Sequence, residues 1–203
     1  MICSGGGKVV RCVLFDLDGT LVHFDYDDFL NEYFKAITKS VAKMVDPTCF
    51  IKMLISSTES MIKNNDQKKS NKQVFMDDFF RKIDVSKEVL MPAFRHFYEN
   101  EFTELKSILK IRPHPEARKM LNFLFEKGYD VVIATNAVFP IEAIIERMRW
   151  GGIDGLPYKL ITCYETMHFC KPNIKYYEEC LNLVGHKPSE CLMVGNNVDE
   201  DMV

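Results

Sequence analysis

The sequence contains no Cys-x-x-Cys pair, and its seven cysteines are an odd set. That pattern argues against a disulfide framework or a zinc centre, and for buried, reduced thiols. No apolar run approaches the roughly 18 residues that a membrane helix needs. The opening stretch, Met1–Cys12, lacks the long apolar segment of a secretory leader. Charge of one sign is not massed either. Lys and Arg number 26 and Asp and Glu 29, a formal net charge of −3, and the basic residues are scattered. This excludes the usual footprint of a nucleic-acid or membrane-surface partner. Internal repeats and low-complexity tracts are missing as well. A globular chain remains, 203 residues long and 47% hydrophobic. That is enough for one large domain or a core with a modest second domain. A cytoplasmic monomer or weak dimer is expected.

Four short apolar runs, each ending in a polar tip, read as buried strands: Lys8–Asp16, Gly128–Asn136, Lys159–Glu165 and Cys191–Asn197. Helical patterns separate the later ones. Glu116–Lys127 places Met120, Leu121, Leu124 and Phe125 on one face, with Gly128 as a stop. Pro140–Arg149 and Asn173–Leu183 also have helical spacing. Such alternation predicts an α/β fold, a doubly wound, Rossmann-like parallel sheet with right-handed crossovers. Chemistry then gathers at the carboxyl ends of the strands. Between about residues 22 and 110 the strand-like runs vanish. Asp27–Val45 carries Phe29, Leu30, Tyr33, Phe34, Ile37, Val41 and Met44 at helical intervals, and Cys49–Ile62, Lys72–Ile83 and Lys87–Leu109 continue the pattern. The expectation is a core over 1–21 and 111–203, with an all-helical cap over 22–110 inserted after the first strand.

Chemistry is densest in Phe15–Leu21, FDLDGTL. Asp16 and Asp18 stand two residues apart at a strand end, in a loop opened by Gly19. Asp-Gly-Thr also makes a good turn, which Asp16 could simply cap. Three further segments follow. Val131–Ala137 supplies Thr135 and Asn136, which also suit an ordinary turn. His168–Glu179 supplies Lys171 before Pro172, a residue suited to the first turn of a helix. Met193–Met202, MVGNNVDEDM, supplies an acidic loop after an apolar run. His23 and His168 are further candidates for the cleft, though a hinge role suits His23 better. Phe75, Phe79, Phe80, Phe94 and Phe97 read as cap core. The pairs Asp27-Asp28 and Asp77-Asp78 read as helix starts or solvated faces, and Trp150 as packing.

In this order the four segments resemble the signature motifs of the haloacid dehalogenase-like hydrolase superfamily. The helical insertion resembles the cap of its phosphoglycolate phosphatase and haloacid dehalogenase branch. The resemblance implies that Asp16 attacks phosphorus and forms an aspartyl-phosphate, and that Asp18 protonates the leaving oxygen and then activates water. Such roles make physical sense. An ionised carboxylate needs no base to become a nucleophile, whereas its partner needs a raised pKa to carry a proton. By the same resemblance, Thr135 and Asn136 hold a phosphate oxygen, and Lys171 offsets the charge of Asp16 and substrate. The resemblance also implies that Mg²⁺ is held by Asp16, the carbonyl of Asp18, Asn196 and Asp201, with Asp199 or Glu200 able to substitute.

Asn196 departs from the family pattern, since an aspartate usually stands there, and this implies weaker Mg²⁺ binding. In the superfamily a further helix and strand follow the fourth motif, so a C-terminal element beyond Val203 is expected. The implied activity is Mg²⁺-dependent hydrolysis of a small phosphorylated metabolite. A 2-haloacid dehalogenase, a phosphotransferase such as a sugar-phosphate mutase, and a catalytically weakened binding or regulatory protein are the alternatives. Asp18 favours phosphate esters, because halide departs without a proton.

Overall fold

The computed structural model describes residues 10–202. Cys3, the first two residues of the expected opening strand (Lys8 and Val9) and Val203 lie outside the described residues. The chain begins with β1 (Cys12–Phe15) and β2 (Val22–His23), then the helices α1 (Tyr26–Val41), α2 (Pro47–Ile62), α3 (Asn71–Lys82), α4 (Lys87–His96) and α5 (Leu105–Ile108). It returns through β3 (Arg112–Pro113) to α6 (Ala117–Glu126), β4 (Asp130–Ile133), α7 (Ile141–Trp150), β5 (Leu160–Ile161), α8 (Ile174–Val184), β6 (Cys191–Val194) and α9 (Val198–Asp201).

Strands β5, β4, β1 and β6 lie side by side in that order, and every pair is parallel. The apolar run of β1 is buried throughout, as a central strand covered on both faces must be. Alternate residues face opposite layers. Val13 and Phe15 pack with Leu121 of α6 and with Ile144 and Met148 of α7, whereas Cys12 and Leu14 pack with Tyr176 and Cys180 of α8. Phe15 stands in register with Ile133 on one side and Val194 on the other. Three strands therefore end level, and Asp16, Ala134 and Gly195 leave the sheet together. Two bonds pin this edge: Asp16 N–H donates to the Val194 carbonyl at 2.9 Å, and Ala134 N–H to that of Phe15 at 2.7 Å. The six cysteines among the described residues are unpaired; Cys12, Cys163, Cys170 and Cys180 are buried.

Between β2 and β3 the chain is helical, α1 to α5. In α1, Phe29, Tyr33, Ile37 and Val41 make a buried stripe at four-residue spacing, and the Asp25 side chain caps the helix by accepting from Asp28 N–H at 3.0 Å. A reciprocal Ser70–Gln73 capping box starts α3. Asp77 and Asp78 lie inside α3, where they pair with Lys69 and Lys82 respectively. The long helix expected over Lys87–Leu109 is broken. After α4 the chain widens into a π turn, Phe97–Glu101, in which the amide of Phe102 bonds to the carbonyl of Phe97, five residues back. A 3₁₀ turn, Phe102–Glu104, follows. Regular α spacing would put residues five apart on different faces; the wide turn lets both Phe97 and Phe102 point inward, and each is fully buried.

Two features join cap to core. The antiparallel pair β2–β3 ties the outgoing and returning chain, Val22 opposite Pro113 and His23 opposite Arg112. The first turn of α3 then docks on core loops. Its otherwise unsatisfied amides find partners there, Asn71 N–H donating to Met167 O at 2.8 Å and Lys72 N–H to Tyr164 O at 2.7 Å. Buried Asn71 also donates from Nδ2 to the carbonyls of Ala137 and Phe169, both at 3.1 Å.

Phe29 is the aromatic hinge of the interface. It is fully buried and packs on Phe102 within the cap and on Phe139 and Trp150 of the core. Phe29→Ala should cost about 3–5 kcal/mol, read as a lowered midpoint in chemical unfolding. A loss below ~1 kcal/mol would show that this cluster does not hold cap to core.

Candidate active site

At the level end of β1, β4 and β6 lies a pocket of about 260 Å³ lined by Asp16, Asp18, Thr135, Asn136, Asn196 and Glu200, among others. Asp16 is the first residue after β1. Its Oδ1 accepts from Lys171 Nζ at 2.8 Å, and the same ammonium donates to Asp201 Oδ1 at 2.6 Å. The side chain of Lys171 is wholly buried, so its charge is met by two carboxylates and not by water. Burial raises the pKa of Asp16, and Lys171 opposes the rise.

Asp201, expected as a metal ligand, lies against Lys171. Both its oxygens are engaged, Oδ1 by Lys171 and Oδ2 by the Asn197 amide at 3.1 Å, and it lies beneath the loop and not on the pocket wall. Gly195 makes this possible, because a Cβ there would sit 2.0 Å from Asp201 Oδ2. Glu200 reaches the pocket instead. Its Oε1 accepts from Asn136 Nδ2 at 3.2 Å, and burial raises its pKa. Asn136 in turn accepts the Lys171 backbone amide at 3.2 Å. Thr135 is buried in the same wall, its carbonyl held by Thr162 and Tyr176 at 2.8 and 2.7 Å. Pro172 precedes the first turn of α8, which Asn173 caps.

Asp18 turns the other way and meets Arg147, a buried residue of α7 whose Nη1 bonds to Asp18 Oδ2. The guanidinium lies over the ring of Phe139 at 4.7 Å and that of Phe29 at 5.6 Å. Burial pushes the Asp18 pKa up to about 6, although Arg147 pulls it down. Asp18 Oδ1 and Arg147 Nη2 are both buried without a hydrogen-bond partner. Arg147 was not among the residues singled out from the sequence. A signal was present: Ala143, Ile144, Arg147 and Met148 form the inward stripe of α7, and an arginine inside an apolar stripe needs a buried partner. Trp150 itself is packing, stacked on Phe102 at 5.5 Å.

Asn196 stands opposite Asp16 across Gly19, whose φ of +84° suits glycine and where a Cβ would meet the Asn196 amide at 2.3 Å. One end of that amide lies 3.2 Å from each of Asp16 Oδ2, the Asp18 carbonyl oxygen and Thr20 Oγ1. The two histidines lie elsewhere. His23 is exposed in the β2–β3 ribbon with its ring against His114 at 5.2 Å, and His168 is held by Glu179 at 2.6 Å.

The chain is 33% identical over 93 residues to a glyceraldehyde 3-phosphate phosphatase of Methanothermobacter thermautotrophicus, a match spanning 46% of this chain and 40% of that protein. It is 26% identical over 197 residues to the pyrophosphatase PpaX of Bacillus cereus, covering 93% of this chain and 75% of that one. Among solved structures, CbbY of Rhodobacter sphaeroides in complex with xylulose 1,5-bisphosphate superimposes with a TM-score of 0.57 at 15% identity, over 94% of this chain and 80% of that chain. A predicted phosphoglycolate phosphatase of Haemophilus somnus gives 0.52 at 17% identity, over 97% and 80%. These likenesses show the fold. The family model matches residues 10–203, and the chain belongs to the haloacid dehalogenase-like hydrolases.

Proposed function

We propose that the chain hydrolyses a small phosphoric monoester through a phosphoryl group carried on Asp16, with Mg²⁺ as cofactor. One observation carries the reading. A single pocket holds one carboxylate fixed by a buried ammonium and, two residues on, a second with its pKa pushed up to about 6. A cation beside the first favours its ionised form, which a nucleophile needs, and the raised pKa of the second suits a group that must carry a proton. Phe24 and Tyr26, from the entry to the cap, limit the pocket of about 260 Å³ to a small substrate. The activities by which the similar glyceraldehyde 3-phosphate phosphatase and pyrophosphatase are named support phosphoryl chemistry.

In this scheme an Asp16 oxygen attacks phosphorus as the ester P–O bond breaks. The proton of Asp18 passes to the leaving alkoxide. Water then adds to phosphorus, gives its proton to Asp18, and the Asp16–phosphorus bond breaks to release phosphate. Lys171 holds the Asp16 carboxylate in place and lowers the repulsion between it and the incoming phosphate. Thr135 and the amides beyond β4 receive a phosphate oxygen. Arg147 holds Asp18 Oδ2, which leaves Oδ1 for the leaving oxygen.

The donor set fits a hard divalent cation. The Asn196 amide lies 3.2 Å from Asp16 Oδ2 and 3.2 Å from the Asp18 carbonyl oxygen, with Glu200 on the same pocket wall. The set is poor in charge, since no group of three His, Cys, Asp or Glu able to hold a metal exists among the described residues. Bound there, Mg²⁺ supplies countercharge to the phosphoryl group. Asn196 is also the observation that favours a second reading, a binding or regulatory protein, for which no turnover would be found with any of a panel of phosphoesters.

Asp16→Asn should lower turnover of para-nitrophenyl phosphate in Mg²⁺ by about a thousand-fold or more; a loss of less than tenfold would exclude Asp16 as nucleophile. For an alkyl phosphate, kcat/KM should fall as pH rises through about 6, where protonated Asp18 is lost. Arg147 favours ionised Asp18, so Arg147→Met should raise the Asp18 pKa and move this limb to higher pH. An unmoved limb would detach Arg147 from the proton transfer.

A further inference from the structure

Asn71 opens α3, in the cap, yet both of its nitrogens bond to the core. The residue is fully buried. Its backbone N–H donates to Met167 O at 2.8 Å, and Nδ2 lies 3.1 Å from the carbonyl oxygens of Ala137 and Phe169 and 3.2 Å from Cys170 Sγ. The two carbonyls fix the orientation of the amide, because an oxygen in that place would face two acceptors. Oδ1 is then left buried with no partner. A buried acceptor without a donor is destabilising, so stability alone does not account for an asparagine here. The two carbonyls belong to the loops of the proposed chemistry. Ala137 follows Thr135 and Asn136, and Phe169 stands two residues before Lys171. The peptides on either side of Ala137 are trans, so each points its carbonyl and its N–H in opposite directions. Fixing the Ala137 carbonyl therefore fixes the Val138 N–H, which donates to the Asn136 carbonyl at 2.8 Å. That bond in turn fixes the Ala137 N–H, one of the amides beyond β4. On the other loop, holding Phe169 steadies the approach to Lys171, whose backbone N–H donates to Asn136 Oδ1 at 3.2 Å. Asn71 and Asn136 thus bridge the same two loops, one from the cap and one from within the core.

We propose that Asn71 is a positioning residue of the active site. Carried by the cap, it sets the amides beyond β4 and the backbone before Lys171 relative to each other. The phosphate-binding wall then takes its working shape only with α3 docked on the core. Docking of the cap does more than exclude water, because it completes that wall. This deepens the proposed function and rests on its assignment of those amides and of Lys171 to the phosphoryl group. Lys72, the next residue, supplies the contrast. Its side chain also docks α3, with Nζ 3.5 Å from Glu165 and 5.4 Å from the centre of the Tyr164 ring, but it bonds to neither of the two loops.

The test compares Asn71→Leu, which keeps the bulk and removes the side-chain donors, with Lys72→Met. Two quantities are measured on the full chain in Mg²⁺: kcat for para-nitrophenyl phosphate, and the dissociation constant of inorganic phosphate by ³¹P NMR. Both are read at a temperature where circular dichroism shows each variant folded. Asn71→Leu should lower kcat about tenfold or more, as misplaced binding groups do, and weaken phosphate binding by a similar factor. Lys72→Met, which loses a surface ion pair, should stay within about twofold of the parent in both. Asn71→Leu values within twofold of the parent would overturn the proposal. So would losses in Lys72→Met as large as those in Asn71→Leu, which mark loosened docking in general. If Asn71→Leu does not fold, Asn71→Ser, which shortens the donor, is judged by the same criteria. A parent that binds phosphate but turns over no ester refutes the phosphatase, and phosphate affinity alone then decides for or against Asn71. A parent that does neither overturns both.

Discussion

The buried ammonium of Lys171 is the charge around which the site is arranged. It has no contact with water and bridges Asp16 at 2.8 Å and Asp201 at 2.6 Å. An ion taken so far from solvent is tolerated only with close opposite charges, and removing one partner from such an arrangement commonly costs ~3–5 kcal/mol. The triad fixes three separate parts of the chain at once: the end of β1, the loop before α8, and α9 below the last strand. Gly195 leaves room for the Asp201 carboxylate, and Asn136 ties the Lys171 backbone to the end of β4. The interaction that orients the proposed nucleophile is thus the one that closes the strand-end loops over the sheet.

A second charge pair, Arg147 with Asp18, couples that site to the cap. Arg147 rises from a core helix, but the ring of Phe29 against its guanidinium belongs to α1. The cap residue Phe29 therefore shapes the dielectric around the proposed acid. Burial raises the Asp18 pKa and Arg147 lowers it, so any motion that admits water beside Phe29 shifts the balance between acid and base forms. The α3 turn docked through Asn71 and Lys72 holds the same interface from the other side.

Much of this was legible from residue pattern. The continuous apolar runs before Asp16, Thr135 and Asn196 placed three strand ends together because a parallel sheet leaves no other arrangement for them, and the register of Phe15 with Ile133 and Val194 bears that out. The cap helices were readable from stripes such as Phe29–Tyr33–Ile37–Val41. The broken segment after α4 was not. Phe94, Phe97, Phe102 and Leu105 look compatible with one helix, and only the packed cap shows that a π turn is needed to bury both Phe97 and Phe102. Long-range charge pairing was the other gap. Asp201 is expected at the metal from its place in a motif, whereas its bond to Lys171, 30 residues away, could not be read from that motif. Arg147 lies 129 residues from Asp18, beyond what any local spacing encodes.

The central claim is that phosphorus passes through Asp16. Rapid acid quench during turnover of a phosphoester, followed by mass spectrometry of the peptides, tests it most directly. A phosphoryl group on the peptide containing Asp16, appearing and decaying with turnover, is the predicted result. Steady hydrolysis with no adduct on Asp16, or with the adduct on another residue, would contradict the account.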